Sequence, residues 1–383
     1  MNHINNKIEK LVENNDYFIY DLDGLYNHAK NIIGGNAKIF FACKANPLSN
    51  IINTLDELNF NFDVASEGEL SQILKQKIDG SRIILTGPVK SEKLLCKAIE
   101  NRIGAIVIES KNQLDLIQKL TKDFSYNPKI LIRLQLKYND NKLLNQTTQF
   151  GVDINNAIEI LKHIKLPFIG FHIFQWNNIL DIKTIKSIWN EVIKSCKRIT
   201  EEFDLIDVGG GIGIPYNNEK PIKWNEIDNI INELKCIYNL KEFWLEMGRY
   251  LVGPYGKYIT KIIDKKTIYN KNIILLRGGI NHIVRPALIN EYFPIKSTKN
   301  KKTNYERFSL HGPLCSSLDY LGNYKLPKNI KIGDNILFEQ VGAYGFTESM
   351  PFFLCHDLPG EIIIKNEKMK IVRKSKNANY WLK

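Results

Sequence analysis

Six cysteines are few for 383 residues, and none of them (Cys43, Cys96, Cys196, Cys236, Cys315, Cys355) forms a C-x-x-C pair or falls at metal-ligand spacing. A disulfide scaffold and a zinc-ribbon site are thereby excluded; reduced thiols are expected, and no metal. No apolar run approaches the ~18 residues of a spanning helix, and residues 1–13 carry both charge signs without the apolar stretch of a secretory signal. The expectation is a cytoplasmic protein that does not enter membranes. Internal repeats and low-complexity tails are missing as well. Lys plus Arg total 53 against 41 for Asp plus Glu, a formal +12, yet the lysines are spread along the chain instead of gathering in basic runs. With no aromatic-basic interleaving either, nucleic acid is not an expected partner. A compositional bias toward Lys, Asn and Ile accounts for most of the charge. Its remaining use is attraction of an acidic substrate or an acidic carrier protein.

What is present is a globular composition, 44% hydrophobic and 25% charged, over a length that calls for about two domains. After a strand-like run from Tyr17 to Leu22, eight short apolar runs alternate with amphipathic stretches: 38–43, 60–65, 82–85, 104–108, 130–136, 168–174, 205–208 and 243–246. Eight strand-helix units are the count of a (β/α)8 TIM-like barrel; doubly wound open sheets usually stop at fewer strands. From Tyr255 onward come strand runs with hairpin spacing (258–263, 273–276, 335–338, 361–364, 369–373) and little helix, which reads as a mostly β domain, a β-barrel or sandwich. The segment from Lys296 to Tyr305, rich in Lys, Asn, Ser and Thr, reads as an exposed and mobile loop.

A barrel places chemistry at the C-terminal ends of its strands. The first run ends in Phe41-Ala42-Cys43-Lys44-Ala45-Asn46, the second in Phe62-Asp63-Val64-Ala65-Ser66. The seventh leads into Gly209-Gly210-Gly211-Ile212-Gly213, whose backbone N–H groups can approach an anion. Its register fails the G-x-G-x-x-G pattern of a dinucleotide site. The eighth ends in Glu246-Met247-Gly248-Arg249. Alone, these features are a solvated lysine, a tight turn and a structural ion pair. Together they meet the needs of one cofactor: pyridoxal 5'-phosphate takes a lysine for its aldehyde, a cradle for its phosphate, and an acid partner for its pyridine nitrogen. Lys44 would form the Schiff base that substrate amine later replaces, and Glu246 would keep the ring protonated.

These segments resemble the fold-type III pyridoxal-phosphate decarboxylases, the group of diaminopimelate, ornithine and arginine decarboxylases, with alanine racemase as a relative. Further matches in the same order are Gly170-Phe171-His172, Asn281-His282-Ile283-Val284-Arg285-Pro286-Ala287-Leu288, His311-Gly312-Pro313-Leu314-Cys315 with Asp319, and Val341-Gly342-Ala343-Tyr344-Gly345. The resemblance implies an alanine-racemase-like architecture: residues 1–24 as a strand joining the β domain, 25–250 as the cofactor-binding barrel, and 251–383 as the β domain. It implies a head-to-tail homodimer with shared active sites. Cys315 of the partner would deliver a proton to Cα after carbon dioxide leaves, a step suited to a thiol, whose reference pKa of about 8.5 keeps it mostly protonated at neutral pH. Cofactor contacts are implied for Asp63, His172, Gly209, Gly210, Gly211, Glu246, Gly248, Arg249 and Tyr344, and substrate contacts for Arg285, Ser316 and Asp319.

The substrate motifs depart from the diaminopimelate pattern. H-x-H-x-G-S becomes His172-Ile173-Phe174-Gln175-Trp176-Asn177, where Phe174 could supply the stacking face and Asn177 a hydrogen bond; C-E-S-S-D becomes Cys315-Ser316-Ser317-Leu318-Asp319; and R-P-A-L-Y ends in Ile289. The acid that would hold the distal amine of diaminopimelate is gone. These changes, with Phe346-Thr347-Glu348-Ser349, resemble the secondary-metabolism branch, so the expected substrate is a siderophore precursor, a carrier-bound amino acid or a diamino acid. The alternatives are a diaminopimelate decarboxylase of lysine biosynthesis, a racemase, and an inactive regulatory homologue. Racemases pair the pyridine nitrogen with Arg where this chain has Glu246, and a regulatory homologue would have lost Lys44 or Cys315.

Overall fold

A computed structural model describes residues 8, 10–137, 147–297 and 304–382. The chain divides into two compact units, one of Tyr26–Pro215 with Lys220–Leu251, the other of Met1–Leu25, Tyr216–Glu219 and Val252–Lys383. The first strand, β1 (Tyr17–Asp21), belongs to the second unit.

In the first unit, eight parallel strands close into a barrel: β2 (Lys38–Ala42), β3 (Asn61–Val64), β4 (Ile83–Leu85), β5 (Ala105–Ile108), β6 (Lys129–Arg133), β7 (Phe168–His172), β8 (Leu205–Asp207) and β9 (Glu242–Met247). Each strand is covered by neighbours on both faces, which is why the sequence shows continuous apolar runs there instead of alternation. Phe40, Ile84, Ala105, Val107, Leu131, Leu205 and Trp244 pack together as a core cluster, large and small side chains filling the space between strands. The helices after β3, β4, β5, β6 and β7 start where a short polar side chain accepts a backbone N–H. Ser66, Ser91, Ser110, Asp153 and Asp181 accept from Glu69, Leu94, Gln113, Asn156 and Thr184. These caps fix the lengths of the loops at the C-terminal strand ends. The fifth run gives a strand, β6, shorter than its apolar stretch: beyond Arg133, Leu136 leaves the ladder because its N–H and C=O both bond the Gln175 amide, at 2.7 and 2.8 Å.

The second unit is a nine-stranded mixed sheet. β10 (Gly256–Ile268) pairs antiparallel with β1, β11 (Lys271–Leu276) and β15 (Asn335–Glu339). β1 pairs on its other side, in parallel, with β16 (Gly360–Lys365), which in turn pairs with β17 (Lys368–Arg373). Tyr17 and Ile19 of β1 pack with Ile8, Val12, Ile259 and Ile362. Three strands went unread in the sequence: β12 (Ile295–Ser297), β13 (Tyr305–His311) and β14 (Tyr320–Pro327). β13 alternates buried Phe308 and Leu310 with exposed Arg307 and partly exposed Ser309, so half of its residues read as loop. The expected Lys296–Tyr305 loop is therefore corrected at both ends: Lys296 and Ser297 lie in β12 and Tyr305 starts β13, while 298–303 fall outside the described residues. Among the described residues no helix is long and apolar enough to cross a membrane.

Candidate active site

The barrel strands deliver one functional side chain after another to their C-terminal ends. Lys44 stands on a single 3-10 turn, Cys43–Ala45, directly after β2. Its Nζ lies 3.6 Å from Asp63 Oδ2, near the end of β3, and 5.6 Å from the centroid of the Phe174 ring after β7. Asp63 is also fixed by the Thr86 hydroxyl, which donates to Oδ1 at 2.6 Å. At the next level His172 ends β7, Asp207 ends β8, and Glu246 sits in β9; their ligand atoms all fall within 4.8 Å of one another. His172 Nε2 is 3.0 Å from Glu246 Oε1. Buried Arg133 and Glu109 pair beside them at 3.1 Å, and Glu109 also accepts the Gly151 N–H at 2.8 Å.

Three buried carboxylates so close together cannot all be ionised cheaply. Burial, then the charge of Glu246, push Asp63 up to about 7 against the pull of Lys44. The same two causes push Asp207 well up. Glu246 is the exception: burial opposes its ionisation, but His172, Lys44 and Arg133 outweigh burial and hold it below the usual carboxylate range. Burial lowers His172, so the ring is neutral and its Nε2–H donates to Glu246, an assignment made from the hydrogen-bond network. Its Nδ1 and the Asp207 Oδ2 are buried without a hydrogen-bond partner in the protein.

The glycine run is shaped by close approach. Gly209 and Gly211 have φ of 61° and 92°, and a Cβ there would lie 2.7 Å from Phe174 Cβ and 2.3 Å from Trp176 Cδ1. A Cβ on Gly210 would lie 2.3 Å from the Glu246 carbonyl oxygen. Trp176 Nε1–H donates to the Gly210 carbonyl at 3.0 Å, and Gly209 N–H to Asp207 Oδ1 at 2.8 Å. Gly248 and Arg249 follow β9 and are both buried. Asn177 is exposed; its neighbour Asn178 is the one that bonds the glycine loop, accepting from Ile214 N–H at 3.0 Å.

In the sheet unit, Cys315 and Ser316 lie on the turn between β13 and β14, with Cys315 exposed. Asp319 is put to use inside that turn: Oδ1 accepts from Ile280 N–H at 2.8 Å and Oδ2 from Leu314 N–H at 2.7 Å. Elsewhere in this unit Arg285 begins a short helix, Arg285–Ile289, with its guanidinium 4.1 Å from the centroid of the Tyr344 ring. Sequence reading assigned no role to Thr86, Asp207, Trp176, the Arg133–Glu109 pair or Glu348, which meets Arg285, although Asp207, Trp176 and Glu348 lie within motif segments that resemble the family.

Two kinds of group suit the His172, Asp207 and Glu246 trio: a metal ion, or a protonated ring nitrogen. Residues 22–253 match the family model for the pyridoxal-binding domain of pyridoxal-dependent decarboxylases. The chain is 29% identical over 382 residues to the 2-[(L-alanin-3-ylcarbamoyl)methyl]-2-hydroxybutanedioate decarboxylase of Staphylococcus aureus, covering 92% of this chain and 94% of the relative. It is 28% identical over 359 residues to the diaminopimelate decarboxylase of Aquifex aeolicus, covering 90% and 85%. The crystal structure of Helicobacter pylori diaminopimelate decarboxylase in complex with L-lysine superposes with a TM-score of 0.85 at 26% identity, covering 95% of each chain. The chain belongs to the pyridoxal-dependent decarboxylases, enzymes that work through pyridoxal 5'-phosphate.

Proposed function

We propose that this protein removes the α-carboxylate of an amino acid or amino-acid conjugate, working as a homodimer in which each active site takes residues from both copies. The donor set of the barrel fits the cofactor. An amine stands on a turn, an anionic carboxylate lies below it, an aromatic ring stands beside it, and the glycine loop has no room for side chains. When bound, pyridoxal phosphate supplies an aldehyde that links to amines and a protonated ring that takes up the electron pair left on Cα as carbon dioxide departs.

The protein's own contributions follow from the geometry. Lys44 offers the amine, and Asp63 at 3.6 Å holds its Nζ in place. Glu246, kept ionised by His172, meets the ring nitrogen and keeps it protonated; this buried His172–Glu246 pair is the observation that carries the proposal. Gly209, Gly210 and Gly211 hold the phosphate with Gly248 and Arg249, and Phe174 closes one face of the ring. Cys315, supplied by the second copy, gives a proton to Cα. Asp319 shapes the Cys315 turn, each of its oxygens accepting a backbone N–H group. Exposed Leu288, Ile289, Phe352 and Phe353 in the sheet unit give a second copy apolar surface to cover.

The substrate is a siderophore precursor, a carrier-bound amino acid or a diamino acid, not diaminopimelate. Release of carbon dioxide from a panel of amino acids and conjugates tests this. Turnover of a member other than diaminopimelate at the highest kcat/KM is expected; diaminopimelate as the best substrate would overturn it.

A further inference from the structure

At the end opposite Lys44 the barrel carries a cavity of about 570 Å³, set among the N-terminal ends of its strands. Its size is that of a small-molecule site, at a face where barrels usually keep residues for stability and not for chemistry. Lys38 opens β2 and Lys129 opens β6, so both ammonium groups come to this end. Phe40, Phe168, Phe203 and Trp244 line the walls with aromatic rings. Tyr126 adds a fifth ring, its hydroxyl already engaged in donating to the Ile103 carbonyl at 2.6 Å.

Lys38 is the unusual member. Its Nζ stands over the rings of Phe40 and Trp244, 5.3 and 4.9 Å from their centroids, and among the described residues no carboxylate lies within ion-pair distance of it. The residue is half-buried, so water solvates the ammonium incompletely, and the two rings offset only part of that loss. Burial pulls its pKa down; Glu242 opposes the fall, and the charge of Lys129 adds to it. The other charges of the cavity are provided for. Lys241 pairs with Asp204 at 2.7 Å, Lys197 donates to the Glu201 carbonyl at 2.9 Å, and Glu242 accepts the Trp244 indole N–H at 2.6 Å. Glu201, Glu202, Asp204 and Glu242 are all exposed, so water serves these carboxylates at the rim. The group that complements Lys38 and Lys129 together is an anion, which would relieve their mutual repulsion.

We infer that this end of the barrel is a second binding site, for a small aromatic carboxylate: Lys38 receives the carboxylate, Lys129 supports it from the rim, and the ring packs on the aromatic walls. Lys38 and Lys44 stand at opposite ends of β2, so the site is separate from the one that takes the cofactor. It stands whether or not the decarboxylase reading does.

The test is calorimetric titration of the cofactor-loaded protein with 2-naphthoate and with its uncharged amide, 2-naphthamide. Wild type is expected to bind one naphthoate per chain, about tenfold or more tighter than the amide, the usual worth of hydrogen bonds to a charged group. Lys38→Gln should lose that preference and Lys38→Arg should keep it, both with the cofactor absorbance and the Tm of wild type. Lys129→Gln, altered at the exposed rim, should weaken naphthoate a few-fold and serves as the deciding variant where Lys38→Gln does not fold. No measurable binding of naphthoate, equal binding of acid and amide, or a preference unmoved in the deciding variant would overturn the inference. Carbon dioxide release from the amino-acid panel is scored separately, so that failure of this site and failure of the decarboxylase reading are told apart.

Discussion

His172 Nε2 lies 3.0 Å from Glu246 Oε1, and both side chains are almost wholly removed from solvent. This contact, with the charges of Lys44 and Arg133, favours Glu246 as the one of three crowded carboxylates that carries the negative charge. Glu246 stays ionised, while Asp63 and Asp207 are driven toward their protonated forms. An anion held opposite a ring nitrogen is what the cofactor's chemistry asks of the barrel.

Replacing Glu246 by Gln keeps the shape and removes the charge. Steady-state assays of Glu246→Gln should show kcat/KM lower by about 10²–10³-fold, the usual loss when a preorganised electrostatic partner is removed, with cofactor still bound. Activity within a few-fold of wild type would mean that Glu246 does not face the ring.

Asp63 gives a pH signature in the cofactor-free protein. Its pKa rises on folding from the ordinary 3.8 to about 7. A carboxyl whose pKa is raised by folding favours the fold when protonated and burdens it when ionised, so its cost is absent below pH ~4 and complete above pH ~7. The Tm of Asp63→Asn should therefore exceed that of wild type at pH 8, with the gap shrinking as pH falls from 7 toward 4. A gap that is constant with pH, or that widens in acid, contradicts the assignment.

Gly210 is pressed against backbone. A methyl group there would lie 2.3 Å from the Glu246 carbonyl oxygen, which has no rotamer to move. Gly210→Ala should cost about 1–3 kcal/mol in chemical denaturation and weaken binding of pyridoxal phosphate at least tenfold. Undiminished affinity would show that this loop does not hold the phosphate.

The proposed sharing of active sites between two copies predicts that inactive variants complement each other. Lys44→Ala and Cys315→Ala homodimers should each be nearly inactive. Random mixing of the two chains should return about a quarter of wild-type activity, because half the dimers are mixed and each mixed dimer holds one intact site of its two. No recovery on mixing would argue that Lys44 and Cys315 of a single copy work together.

Much of this was legible in the sequence, and the rest was hidden for identifiable reasons. The barrel strands show through because each is buried on both faces, so that Ala105–Ile108 or Ile83–Leu85 is apolar throughout. β13 and β14 are covered on one face, and their outward Arg307, Asn323 and Lys325 disguise them. Lys44, Glu246 and the glycine run could be read because each ends a strand. The charge ordering among Asp63, Asp207 and Glu246 could not, since it depends on burial and on distances between strands. The two backbone N–H partners of Asp319 appear only when β13 and β14 are folded. Glu348 stands 63 residues from Arg285, and no local pattern announces that pair.

The central claim is that Lys44 carries the cofactor. Borohydride reduction of the cofactor-loaded enzyme, followed by proteolysis and mass spectrometry, tests it most directly. The account requires the reduced pyridoxyl group on the peptide containing Lys44, and its loss together with the visible absorbance band in Lys44→Ala. A pyridoxyl group on any other lysine, or an unchanged band in Lys44→Ala, would contradict it.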